Sequence, residues 1–318
     1  MPERLGPPRD RPLFERLALV GFGLIGSSIA RAARRLNLAG AIVAVDADSA
    51  VLARVRTLGL ADEATSDPAR GAGGADHVIL CVPIGAYEAV TKAMRAALEP
   101  GAIVSDVGSV KGAVVAQVQP HLPPGVHFVP AHPVAGTEHS GPDSGFATLF
   151  HNRWCILTPP DGADEEAVAK VREFWAAMGA NVEVMTPQHH DLVLAITSHV
   201  PHLIAYNIVG TAADLEAVTQ GEVIKFSAGG FRDFTRIAAS DPTMWRDVFL
   251  NNKEAVLEML GRFSEDLTAL QRAIRFGEGD ALYRLFAEAR ETRRGIIQAG
   301  QDTEAPDFGR HGPGTKTS

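Results

Sequence analysis

Cysteine is scarce in this chain: two residues, Cys81 and Cys155, among 318. Each sits in an apolar run, VILCVP and WCILTP. Both read as buried thiols in a reducing compartment rather than as a disulfide or a metal site. Positive charge is also in deficit. The 30 Lys and Arg are outnumbered by 38 Asp and Glu, for a formal charge of −8. A nucleic-acid or anionic-membrane partner would call for the opposite balance. Any anionic substrate must then be held by a local cation. No uninterrupted apolar stretch reaches the ~18 residues that a spanning helix needs. The opening MPERLGPPRDRP carries charges and prolines where a secretory leader has an apolar segment. A soluble, cytoplasmic protein with no membrane or nucleic-acid partner is expected. No internal repeat is present. The 46% hydrophobic and 21% charged residues are those of a folded chain.

What is present is an alternation. From residue 16 to about 185, short apolar runs at 17–20, 42–45, 77–82, 103–105, 127–129, 155–157 and 182–185 read as strands. Helical spacing lies between them, as in 24–36, where Ile25, Ile29, Ala33 and Leu36 recur on one face. This pattern predicts an α/β, Rossmann-type domain with a mainly parallel sheet and helices on both faces. Beyond about 188 the strand signal ends, and 191–209, 215–226, 242–263 and 281–297 read as helices. The expected organisation is a flexible lead-in over 1–14, a dinucleotide-binding domain over 15–187, an all-α substrate and dimerisation domain over 188–300, and a disordered tail over 301–318. The later helices are apolar over much of their surface, so a homodimer through the helical domain is expected.

The segment 17–26 reads Leu-Ala-Leu-Val-Gly-Phe-Gly-Leu-Ile-Gly. A strand precedes it and a helix follows, which gives this common glycine pattern its meaning. Gly21 allows the tight turn, Gly23 lets the backbone approach a pyrophosphate, and Gly26 lets the helix lie close to the sheet. Asp46 ends the second strand, twenty residues beyond Gly26. Its carboxylate would accept hydrogen bonds from the adenosine ribose and repel a 2′-phosphate. Ala47 and Asp48 supply no cation for that phosphate, so NAD is expected over NADP. Phe22, Leu24 and Ile25 in the turn, with Val82 and Pro83 at the end of the 77–82 strand, complete the expected cofactor contacts.

Two polar segments follow strand ends, where ligands bind in open α/β sheets. They are SDVGSVKG at 105–112 and AHPVAGTE at 131–138. His132, before a proline at a strand exit, is a candidate proton acceptor; from spacing alone a structural histidine is an equal reading. Ser109 is placed to bind the same substrate oxygen or to hold the imidazole. In the helical half, SHVPH at 198–202 sets a proline inside a helix. The resulting kink would turn His199 and His202 toward a cleft. Gly229 and Gly230 precede a loop with Arg232, Asp233 and Arg236, where an arginine could clamp a carboxylate and Arg232–Asp233 could equally be a surface ion pair. His189 and His190 lack a third ligand at useful spacing, so they read as a solvated helix start and no metal site is expected.

Together, VGFGLIGSSIA, SDVGSVKG, PAHPVAGTEHSG, SHVPHLIA, FSAGGFRDFTRIAASDP and the Trp245 that follows resemble the prephenate/arogenate dehydrogenase family over about residues 16–300. The resemblance implies NAD-dependent oxidative decarboxylation of prephenate, of its amino analogue arogenate, or of both, on the route to tyrosine. It implies that His132 accepts the ring hydroxyl proton and that Ser109 places that hydroxyl and the nicotinamide. Arg236 would bind the substrate carboxylate, with His202 and His199 at the substrate's edge. Glu138, Gly229 and Asp233 match positions that line or gate the pocket, some of them in reach of a neighbouring subunit. The same layout serves β-hydroxyacid and imine dehydrogenases, but those rely on a lysine in the helical half, and Lys225 and Lys253 sit in no recognisable site pattern. A nucleotide-sensing regulator would need neither His132 nor Arg236.

Overall fold

The computed structural model describes residues 5–137, 139–216 and 222–298. The first part is built on six parallel strands: β1 (Phe14–Val20), β2 (Ala39–Val45), β3 (Glu63–Thr65), β4 (His77–Leu80), β5 (Ile103–Asp106) and β6 (His127–Phe128). They lie in the order β3-β2-β1-β4-β5-β6. Strands buried on both faces read as nearly continuous apolar runs, which is why 17–20 and 42–45 are so legible. Their side chains alternate between two cores. Leu17, Leu19, Ile42 and Ala44 face one core with Ile29, Phe174 and Trp175. Ala18, Val20, Val43 and Val45 face the other, with Tyr87, Met94, Val114 and Val118. Each large side chain fully buried in this way contributes about 1.5–3 kcal/mol.

Helices α1 (Leu24–Leu36), α2 (Ser49–Thr57), α3 (Pro68–Ala72), α4 (Tyr87–Met94) and α5 (Gly112–Val118) link these strands. Local chemistry sets their ends. Asp48 caps α2 by accepting from Ala50 N at 2.7 Å. Asn37 closes α1 in the left-handed conformation, with Arg34 and Arg35 in its last turn. The chain moves outward in opposite directions from β1 and β4, so a crevice opens between their carboxyl ends.

A second, three-stranded sheet follows. Strand β7 (Ala131–Pro133) runs antiparallel to β8 (Trp154–Leu157), which is parallel to β9 (Asn181–Val184). Helix α6 (Glu165–Ala177) joins β8 to β9. The expected strand at 127–129 thus stops at Phe128, and His132 stands within a separate short strand, its neighbour across β8 being Ile156. The segment expected to be a flexible lead-in is fastened from Leu5 onward. Leu5 is buried, Arg9 N donates to Leu36 O at 2.9 Å, and Asn37 Nδ2 donates to Arg9 O at 2.8 Å. The tail at 301–318 lies outside the described residues.

After β9 the described residues are helical: α7 (Pro187–Leu194), α8 (Val200–Glu216), α9 (Glu222–Lys225), α10 (Gly229–Thr235), α11 (Pro242–Asn251), α12 (Lys253–Phe276) and α13 (Gly279–Gln298). This is the α/β domain followed by an all-helical region that the patterning predicts. Two expectations change in detail. The proline kink is an i→i+5 turn at Ala195–His199, just before Pro201, because a proline has no N–H to continue the regular ladder. The loop expected after Gly229 is helical, so Arg232 and Asp233 lie on α10.

By packing the chain forms two compact units. Among the described residues, one comprises those up to 204 together with 237–256; the other comprises those of 205–236 and of 257–298. One helical stretch, Pro187–Leu215, is long and apolar enough to cross a membrane by length and composition, and 28% of its most apolar window is buried. His190, Asp191, His199 and His202 interrupt that stretch, so it shows no unbroken apolar run in the sequence.

Candidate active site

The glycine turn is shaped for a ligand backbone. Gly21 has φ +102°, and a Cβ there would stand 2.6 Å from the carbonyl oxygen of Cys81, just after β4. A Cβ on Gly26 would meet the Gly21 carbonyl oxygen at 2.2 Å. These two contacts force glycine. A Cβ on Gly23 would meet nothing within 4 Å, and α1 begins without a side-chain cap or an acidic residue in its first turn. An uncapped helix start beside an open, side-chain-free turn fits a dinucleotide pyrophosphate. Asp46 is bound to the turn itself: Oδ2 accepts from Phe22 N at 2.8 Å and Oδ1 from Asp48 N at 2.9 Å. A carboxylate has about four acceptor sites, so capacity remains for ribose hydroxyls. Val82 and Pro83 follow β4 directly, beside β1 at the crevice.

The SDVGSVKG segment leaves β5 and binds the strand that carries His132. Lys111 is fully buried and its ammonium pairs with Asp106. The same ammonium donates to Ala131 O at 2.8 Å, and Ala131 N donates to Asp106 Oδ1 at 3.2 Å. Asp106 also accepts from Gly108 N at 2.7 Å. Burial pulls the Lys111 ammonium below its ordinary value, and the Asp106 carboxylate opposes that pull. Ser109 sits half-buried between these two anchors.

His132 is buried, and its Nδ1 lies 2.8 Å from His190 Nε2. His190 Nδ1 lies 2.9 Å from Asp191 Oδ1. Asp191 in turn accepts from Lys111 N at 2.7 Å and Gly112 N at 2.8 Å. His190 is therefore no solvated helix start: it is fully buried, while His189 beside it is exposed. One residue of helical rotation, about 100°, separates the two fates. Burial is the main force lowering the His132 pKa well below its ordinary value, followed by His190, Lys111 and His199. The imidazole is neutral and able to take a proton.

His199 is also buried. Its Nδ1 is 3.0 Å from Asn252 Nδ2, which donates to the Asp191 backbone oxygen at 2.9 Å. Burial takes the His199 pKa down to about 4. Trp245 stacks on His202 with ring centroids 3.7 Å apart, and His202 Nδ1 faces Ser198 O at 2.8 Å. Asn252 interrupts what patterning reads as one helix over 242–263 and so splits α11 from α12. The structure thus joins the SDVGSVKG loop, His132, His199, His202 and Trp245 within one unit. Gly229, Asp233 and Arg236 belong to the other unit, on α10 and at the start of the turn after it. Glu138 lies outside the described residues. Reading by segment did not assign His190, Asp191, Lys111, Asp106 or Asn252. Asp106 and Lys111 stood in plain view inside a singled-out motif, whereas nothing local to His190 signals its burial.

A doubly wound sheet, a glycine turn at its switch point and a buried neutral histidine beyond a neighbouring strand fit the nucleotide-binding domain of an oxidoreductase. Residues 29–184 match the family described as prephenate dehydrogenase, nucleotide-binding domain, and 186–288 match its dimerization domain. The chain is 41% identical to the cyclohexadienyl dehydrogenase of Zymomonas mobilis over 281 residues, covering 88% of this chain and 96% of that one. It is similar to the crystal structure of prephenate dehydrogenase from A. aeolicus in complex with hydroxyphenyl propionate and NAD+, with a TM-score of 0.83 and 34% identity over 89% of this chain and 98% of that one. The Synechocystis arogenate dehydrogenase structure matches with a TM-score of 0.74 and 28% identity, over 88% and 99% of the two chains. The chain belongs to the prephenate dehydrogenase family.

Proposed function

We propose that this protein catalyses the NAD-dependent oxidative decarboxylation of prephenate to 4-hydroxyphenylpyruvate, and of arogenate to tyrosine where it accepts that substrate. The observation that carries this reading is His132, a buried neutral imidazole tied to the loop at the carboxyl end of β5. Bound NAD supplies the hydride acceptor. The glycine turn Gly21–Gly26 with Phe22, Leu24 and Ile25, and Val82 and Pro83 opposite, would hold it, and Asp46 with no cation after it favours NAD over NADP. His132 takes the proton of the ring hydroxyl as the carbon bearing it is oxidised. The new carbonyl draws electrons through the ring, the carboxylate leaves as carbon dioxide, and the ring becomes aromatic. The protein's contribution is positioning and a base in its unprotonated form. We assign Ser109 to orient the hydroxyl, Arg236 to the substrate carboxylate, His202 and His199 to the substrate's edge, and Glu138, Gly229 and Asp233 to the pocket lining.

We also retain 15–187 as the dinucleotide-binding domain and 188–300 as a helical substrate and dimerisation domain, and propose a homodimer. The support is a set of large apolar side chains left open on α12 and α13: Ile274, Phe276, Tyr283 and Phe286 are each more than half exposed. The free Cys81 and Cys155 suit a reducing compartment, and we place the enzyme in the cytoplasm. The test is NADH formation by the purified protein with prephenate and arogenate offered separately. Turnover of either is expected. Cofactor binding with turnover of neither acid would overturn the assignment.

A further inference from the structure

We propose that His190 and Asp191 are positioning residues that hold His132 in the one tautomer able to accept a proton at Nε2. The proposal deepens the function above and rests on His132 being its base.

The geometry runs in one direction. An ionised carboxylate only accepts hydrogen bonds. Asp191 Oδ1 lies 2.9 Å from His190 Nδ1, so that nitrogen carries the hydrogen. A neutral imidazole has a single N–H, which leaves a lone pair on His190 Nε2. That nitrogen faces His132 Nδ1 at 2.8 Å, a distance that requires one hydrogen between the two rings. His132 Nδ1 must then donate, and Nε2 keeps the lone pair. The reverse arrangement would set a bare nitrogen of His190 against a carboxylate in a buried site. Leaving such a group unsatisfied in a buried site is costly, more so when a charge is involved.

The carboxylate that starts the chain is itself fixed. Lys111 N and Gly112 N donate to its two oxygens at 2.7 and 2.8 Å. Asn252 Nδ2 holds the Asp191 backbone oxygen at 2.9 Å. Its rotamer is therefore set before His190 meets it. The other ionisable groups bearing on the chain are Lys111 and His199, which act on His132, and Lys111 and Asp106, which act on His190. Burial is the largest influence on both imidazoles and keeps both neutral, as the tautomer chain requires.

The test combines tautomer and turnover. Histidine-labelled protein without substrate is observed by two-bond proton–nitrogen correlation, which distinguishes protonated from bare ring nitrogens. The expected wild-type spectrum has His132 protonated at Nδ1 and bare at Nε2. Replacing His190→Leu removes the acceptor. It is expected to lower kcat by about 10²–10⁴-fold, the scale seen when a catalytic histidine loses its orienting partner, with the KM for prephenate changed less than about threefold. His190→Gln, whose amide oxygen can accept from His132 Nδ1, should recover most of that loss. Asp191→Asn should shift His132 toward the Nε2-protonated form. A wild-type His132 protonated at Nε2 would overturn the proposal, as would a folded His190→Leu with wild-type kcat and pH profile. Should His190→Leu fail to fold, the wild-type spectrum and the His190→Gln kinetics decide. The spectrum needs no substrate, so failure of the wild type to oxidise either acid would count against the function and leave this result standing.

Discussion

Burial sets the protonation state of His132 before any substrate arrives. Removing an imidazolium from water is costly, and among the described residues the hydrogen-bonded route from His132 to the Asp191 carboxylate runs through His190. Its folded pKa is depressed, so the base is lost only as pH falls through that depressed value. The acid limb of kcat/KM is expected below pH 6.5, and a limb above 7 would contradict the assignment. Stability follows the same sign. His77, taken by burial to about 3, and His199, taken to about 4, stay neutral in the folded chain while the unfolded chain takes up protons from about pH 6.5 downward. The melting temperature should fall on acidification from pH 6.5 toward 4, as read by calorimetry across that range. At the same scale, His132→Asn should cut kcat by about 10²–10⁴-fold with little change in KM. Lys111→Met would strand the Asp106 carboxylate in the interior. It should cost about 3–5 kcal/mol in urea unfolding, and a loss under about 1 kcal/mol would show that the pair is not the anchor described.

At the scale of elements, the glycine turn separates two functions that share one motif. Gly26 serves packing, since a methyl group there would overlap the Gly21 carbonyl oxygen. Gly23 serves access, since the same methyl group would enter open space. Gly26→Ala is expected to lower thermal stability and NAD affinity together. Gly23→Ala should leave the melting temperature within a degree or two and still weaken NAD binding by tenfold or more in calorimetric titration. Equal effects of the two changes on stability would refute this division. The i→i+5 turn before Pro201 belongs to the same scale. It widens the helix for one turn between His190 on α7 and His199, which both take part in a buried polar cluster with Asn252 and Asp191, while the half-buried His202 stacks on Trp245.

For the whole molecule, the apolar side chains left open on α12 and α13 carry the expectation of a partner copy. Sedimentation at micromolar concentration should give twice the chain mass. Phe276→Asp combined with Phe286→Asp should give a monomer, because charges would then occupy positions that a self-complementary interface must desolvate. Both side chains are exposed in the single chain, so the substitutions leave its own core intact. A wild type that sediments as a monomer would remove the dimer from the proposal.

The sheet, its helices, the glycine turn and Asp46 were legible in the sequence alone, because strand alternation, helical spacing and turn chemistry are properties of neighbouring residues. The motif segments also named His132, Ser109, His199 and His202. The tertiary structure alone decided that His132 stands in a second small sheet, that the segment from Leu5 is docked, and that His190 faces His132 across 58 positions of chain. It also set Lys111 under β7 and Asn252 between His199 and Asp191. These pairings arise when distant segments are desolvated together. For these groups the cost of burial is met by the partner the fold brings within hydrogen-bond distance, and no local pattern encodes that partner.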